Sequence, residues 1–321
     1  MTSPTAATRD RLRPVAWSVL AVGASLAAAA VAGAGALGLG VVATRVGADV
    51  AGVACVGLAL VAVLLPGPTG VTRHDLARVD RTVDRALLVL GGAWVALVLV
   101  GVALRAADAF GRSPGQLGAG EVLAWSTRLA AGRGLVLTAG CALVVLVCAA
   151  VRLHDPDRIA VRIPLVAALL GVLTPTVTGH AGSAPDHQLA VVTAALHAGA
   201  AALWVGGLGG LLVLVARHRT LLAATLGRFS TLAGACVVIV AITGVLGAQV
   251  RLQDWGALLT TGYGLIVAAK SVALVALAGL GGLARRRLAA GRLPVLRWAG
   301  VEVALMAVVL GLAAALTQTG S

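Results

Sequence analysis

Residues 86–104 read ALLVLGGAWVALVLVGVAL, nineteen residues without a charge, closed by Arg85 on one side and Arg105 on the other. At 1.5 Å per residue a helix of that length covers about 28 Å, close to the ~30 Å hydrocarbon core of a bilayer. No soluble domain of ordinary composition leaves such a run uncovered. The pattern then repeats along the chain. Nine apolar stretches are long enough to be candidate spans, at roughly 15–40, 48–65, 86–106, 134–151, 163–179, 188–215, 230–250, 262–284 and 296–316. The expected fold is all-α, a polytopic transmembrane helical bundle with the N-terminus inside. The apolar part of the first stretch exceeds the usual 7–15-residue core of a signal peptide, so it reads as an uncleaved anchor.

Composition agrees. Hydrophobic residues make up 60% of the 321 residues and charged ones only 12%, about half the share in a soluble domain. The net charge of +13 does not mark a nucleic-acid-binding protein. The arginines stand in short groups between the apolar runs, as the positive-inside rule demands. With the N-terminus in the cytoplasm, eighteen basic residues fall inside and six outside (Arg45, Arg105, Arg112, Arg128, Arg133 and Arg251). The C-terminus then faces outward. Segment 66–85, rich in Arg and Asp, reads as a solvated cytoplasmic loop. The outer stretch 107–133 is long enough to carry a short interfacial helix. Three segments are expected: a two-helix piece over 1–70, a middle piece with the long outer loop over 71–162, and a membrane domain over 163–321.

Several motifs carry nothing. Gly33, Gly35 and Gly38 fit GxGxxG, but no strand precedes them and they lie in an apolar run, so the dinucleotide reading fails. There is no P-loop. Cys55, Cys141, Cys148 and Cys236 lie in apolar segments without a CxxC pair and read as small buried hydrophobes. An enzyme is not expected.

The histidines are more informative. His74, His154 and His218 sit among Arg and Asp in cytoplasmic loops. His180 ends the fifth span and His187 opens the sixth, with Asp186 beside it. Only six residues separate the two histidines, which brings them together at the outer face. His197 lies ten residues beyond His187, about 15 Å along a helix, and so near mid-membrane. An ionisable group at that depth is a functional hypothesis by default. The competing reading is a histidine hydrogen-bonded between helices to hold the bundle. The functional reading is a metal path, in which outer imidazoles capture an ion and a deeper one receives it. Asp186 is a further ligand or orients a ring nitrogen. Trp204 follows, then Gly206 and Gly207. Gly206 with Gly210 forms GxxxG, a close-packing motif. Lys270, the one lysine in the chain, falls inside a span and needs compensation. It pairs with Glu302 of the last span, faces a polar cavity near His197, or snorkels to the surface.

The ordered set of His180, His187, His197, Trp204-Val205-Gly206-Gly207-Leu208, Arg228-Phe229-Ser230, Thr243-Gly244, Thr261-Gly262-Tyr263-Gly264, Lys270 and Glu302 resembles the copper-resistance D family, CopD, most clearly over about 175–316. The resemblance implies a bacterial inner-membrane protein that helps move copper, with a copper ion as its cargo. It also implies a partnership with an extracytoplasmic CopC-like copper-binding protein. The chain has just two methionines, Met1 and Met306, a departure that tells against thioether capture of Cu(I) and leaves histidines, backbone carbonyls or an external donor to supply the metal. Two readings compete with a copper permease. One is a b-type haem electron carrier, for which a second deep histidine is not evident. The other is a membrane scaffold that docks a copper chaperone.

Overall fold

The computed structural model describes residues 36–65, 73–178, 187–215, 219–251, 256 and 260–290. Among these there is no strand. Eight α-helices follow in order: α1 (Ala36–Leu64), α2 (Arg73–Ala109), α3 (Ala119–Arg128), α4 (Ala130–His154), α5 (Arg162–Thr178), α6 (His187–Leu214), α7 (Arg219–Arg251) and α8 (Gly262–Ala289). Five of them, α1, α2, α4, α6 and α7, are long and apolar enough to cross a membrane. Helix α5 has 17 residues with Pro175 inside it, and α8 carries a shorter apolar stretch over Leu274–Leu283. Seven of the nine expected stretches thus coincide with helices. Most of 15–40 and all of 296–316 lie outside the described residues.

The bundle is apolar outward as well as inward. Val89, Leu99, Val147, Leu170, Val192, Ile242 and Val275 are exposed large hydrophobics. A surface of this kind matches lipid, where every backbone polar group must be paired within its own helix. The chain is a multi-pass membrane protein.

Helix α1 is the centre of the described bundle, packed against α2, α5 and α6. Its middle, with Cys55, Val56, Ala59 and Val61, has no solvent exposure. Small residues make that possible. A Cβ on Gly206 would stand 3.0 Å from the Gly57 backbone nitrogen, and one on Gly210 only 2.7 Å from the Gly57 carbonyl oxygen. The two glycines of the α6 GxxxG therefore seat α1 directly on their backbone. Trp94 of α2 fills a second such gap. A Cβ on Gly52 would come within 2.7 Å of Trp94 Cζ2, and one on Gly171 within 2.7 Å of Trp94 Cη2.

Three expectations about helix limits need correction. The break expected between 40 and 48 is absent, since α1 runs unbroken from Ala36 and carries Arg45 within it, 4.0 Å from Asp49 one turn on. Segment 66–85 is not a loop over its second half. Helix α2 starts at Arg73, with Val79, Val83 and Leu87 buried at four-residue intervals while Arg78, Arg81 and Arg85 face out. This is amphipathic helix, and its apolar stripe is interrupted by the charges in the linear sequence. Helix α7 likewise begins at Arg219, eleven residues before the expected 230, because Leu221, Thr225 and Phe229 bury one face. The stretch 107–133 does carry a short helix, α3. Glu121 accepts the Gly118 backbone N–H at 3.0 Å at the head of α3 and pairs with Arg112 at 3.0 Å.

Candidate functional site: a histidine inside the bundle

His197 lies ten residues into α6, partly buried where α6 packs against α7. Its Nδ1 is 2.9 Å from Thr243 Oγ1 of α7. The Thr243 hydroxyl also turns back on its own helix, 2.6 Å from the Ile239 carbonyl oxygen and 3.3 Å from that of Val240. The i to i−4 bond is the usual way a threonine is satisfied in an apolar helix. Gly244 follows, and a Cβ there would lie 3.8 Å from His197 Cε1. Trp204, seven residues below His197 and so on nearly the same face of α6, is buried. Gly207 receives the Phe229 ring of α7, and a Cβ there would be 2.9 Å from Leu60 Cδ2 of α1.

The remaining residues of the expected site divide by position. His180, Asp186 and Glu302 lie outside the described residues. His187 is the first residue of α6, and Lys270 is the ninth of α8. Thr261 accepts the Gly264 backbone N–H at 3.0 Å, so Thr261-Gly262-Tyr263-Gly264 forms the N-cap that starts α8. His74 and His154 are exposed, and His154 Nδ1 lies 2.9 Å from the Ala150 carbonyl oxygen. Among the described residues no three His, Cys, Asp or Glu side chains gather in a metal-holding group. Cys55, Cys141, Cys148 and Cys236 are thiols without a disulfide.

The sequence reading did not single out Thr243 as a site residue, although a hydroxyl in the apolar run of α7 was the available signal. It also missed a buried ion pair at the far end of the bundle. Arg152 Nε lies 2.9 Å from Asp84 Oδ1, with the two side chains only 7% and 1% exposed. Arg152 is one of the eighteen basic residues expected on the inner side, where a loop position is the ordinary reading.

The fold defines a polytopic helical membrane protein with a polar contact, His197 to Thr243, set between two of its spans. The C-terminal part resembles a known family. Residues 223–316, under a third of the chain, match the family described as copper resistance protein D. Thr243, Gly244, Lys270 and Glu302 fall within the matched residues, whereas the three candidate histidines precede them. An uncharacterized protein of Mycobacterium leprae (strain TN) is 34% identical over 98 residues, 30% of this chain and 14% of that protein. The copper transport protein CutJ of Bacillus subtilis (strain 168) is 28% identical over 158 residues, 46% of this chain and 29% of that protein. The chain thus spans less than a third of the length of either relative. No solved structure matches it.

Proposed function

We propose that the protein is a copper permease or copper-homeostasis factor of the bacterial cytoplasmic membrane and not an enzyme. The observation that carries the reading is His197 held between α6 and α7 by Thr243, in a chain whose adjoining segment matches CopD. Support also comes from CutJ, a relative whose own name is that of a copper transport protein. Copper is the cargo, and a neutral imidazole is a suitable ligand for it.

In this reading His180 and His187, with Asp186, capture the ion at the outer face. A CopC-like protein outside the membrane is the donor. The ion then passes to His197, about 15 Å further along α6. Gly206, Gly207 and Trp204 keep α6 seated against α1 and α7, so that the ring keeps its position. Lys270 stands eight residues past the start of α8, about 12 Å deep. A fixed positive charge there shortens the residence of a cation at His197, and Glu302 is the available counter-charge.

The reading is tested in cells with His180→Ala, His187→Ala and His197→Ala, each checked for unchanged abundance. All three are expected to lower copper accumulation or the copper-dependent phenotype. Full copper handling by all three variants overturns the path and makes these packing residues.

A further inference from the structure

Arg45 and Asp49 have no part in the copper path, yet the packing sets them deep in the bundle. A Cβ on Gly40 would meet Leu104 at 3.2 Å, one on Gly47 would meet Leu97 at 3.1 Å, and one on Gly52 would meet Trp94 at 2.7 Å. Helices α1 and α2 thus run antiparallel in a steady register, which sets Asp49 opposite residues 95–97. That is the middle of the uncharged run 86–104. Arg45 stands one turn, about 6 Å, nearer the end that carries Arg105. Helix α5 carries the count across to α6. Val172 lies 3.0 Å from a Cβ on Gly52, and Leu173 lies 3.5 Å from one on Gly199. Helices α1 and α6 run the same way, with Gly57 and Val61 meeting Gly210 of α6. Asp49, three residues before Gly52, and His197, two before Gly199, therefore share one level.

A charge at that depth is costly in lipid, and ionisable residues there face the bundle interior or a water-filled cavity. The accessibility of Asp49 decides for the cavity. The residue lies deep among the helices, and yet 56% of its side chain is accessible. Every other residue from Gly38 to Leu65 is buried or half-buried. Helix α1 therefore has no lipid-facing stripe like that of Val89, Leu99 and Val100 on α2. A lone accessible residue in the middle of the central helix marks a crevice. Arg45 Nε lies 4.0 Å from Asp49 Oδ2, too long for a hydrogen bond, and Arg105 adds its charge to both. Two guanidinium groups against one carboxylate repel a metal cation, which leaves the proton as the species to be exchanged. We propose that Asp49 is a proton-exchanging carboxylate at the base of a water-filled crevice, level with His197. Water brings a proton to a carboxylate oxygen, the neutral acid loses its attraction to Arg45 and Arg105, and the reverse step returns the proton to water. The charged groups around this exchange are Arg45 on α1 and Arg105 on α2. Helix α5 has no titratable residue past Arg162, and α6 has His197 at the same level and His187 ten residues before it. Resting on the copper reading above, the proton at Asp49 is the counter-charge to the ion at His197.

The test uses the full chain in lipid vesicles, and its first two arms need no copper. Infrared difference spectra between alkaline and acidic pH are expected to show a carboxylic-acid C=O band that is lost in Asp49→Asn and shifted in Asp49→Glu. A wild type without such a band, or a band untouched by both variants, overturns the proton exchange. The crevice is read by a membrane-impermeant thiol reagent present on both sides of the vesicles, with the four native cysteines of the wild type as baseline. Asp49→Cys is expected to be labelled well above Leu99→Cys, an exposed position of α2 at nearly the same depth. Equal labelling of the two overturns the crevice. Copper flux supplies the third arm. Wild-type flux is expected to depend on pH, and Asp49→Asn to lose that dependence. An unchanged dependence overturns the link between proton and ion. No copper flux in the wild type instead overturns the copper reading and leaves Asp49 to be judged by the spectra and the labelling.

Discussion

Asp84 and Arg152 show what a single residue can hide in a sequence of this kind. Both stand at the edge of apolar runs, where charges ordinarily mark the membrane surface. In the fold they meet at 2.9 Å, and Arg152 uses a further nitrogen to donate to the carbonyl oxygens of Pro156 at 3.1 Å and Ile159 at 2.6 Å. One side chain therefore ties α2, the end of α4 and the turn toward α5. Asp84 Oδ2 has no hydrogen-bond partner among the described residues, so Asp84 depends on Arg152 more than the reverse. Removing one member of a buried pair leaves an uncompensated charge and costs about 3–5 kcal/mol. Arg152→Met is expected to lower unfolding stability in detergent by that order, and Asp84→Leu with Arg152→Met to recover most of the loss. Additive losses in the double variant would show that the pair is not coupled. This contact was not legible beforehand, because its members are 68 residues apart and nothing local distinguishes them from loop charges. His197 was legible for the opposite reason, since a lone imidazole in an apolar helix is conspicuous.

At the scale of helices, the apolar runs located seven of the helices but not their ends. A membrane span reads as an uninterrupted run, whereas a helix that continues past the lipid turns amphipathic and breaks that run with charges. This is why α2 and α7 begin earlier than composition indicated. The seat of α1 on α6 was half legible. Gly206 and Gly210 form a visible GxxxG, but its partner Gly57 belongs to no motif. A side chain at Gly57 would collide with the Gly206 backbone. Overpacking of this kind costs about 1–3 kcal/mol or more, so Gly57→Ala is expected to lower thermal stability clearly. Gly209→Ala is the control, because a Cβ there meets nothing within 4 Å among the described residues. Equal stability of the two variants contradicts the α1–α6 seat.

The whole molecule sorts its charges to two ends. The end of α1, the start of α2, the end of α4 and the start of α5 share one end. There Arg228 of α7 reaches the Leu64 and Leu65 carbonyl oxygens, each at 3.4 Å, as a cation at a helix C-terminus should. Arg105 and Arg112 before α3, Arg128 as its last residue and Arg133 just after it belong to the other end. On the positive-inside rule the first end is expected to be the cytoplasmic one. Reporter fusions are therefore expected to place 285–295 in the cytoplasm and 180–187 outside, and an outward signal from 285–295 would sink that topology. The central claim, that copper crosses this bundle by way of His197, meets its most direct test in proteoliposomes loaded with purified protein, by metal analysis and copper flux. Wild type is expected to pass copper, and His197→Ala to reconstitute equally well and lose most of the flux. Equal flux through both, or none through either, would contradict it.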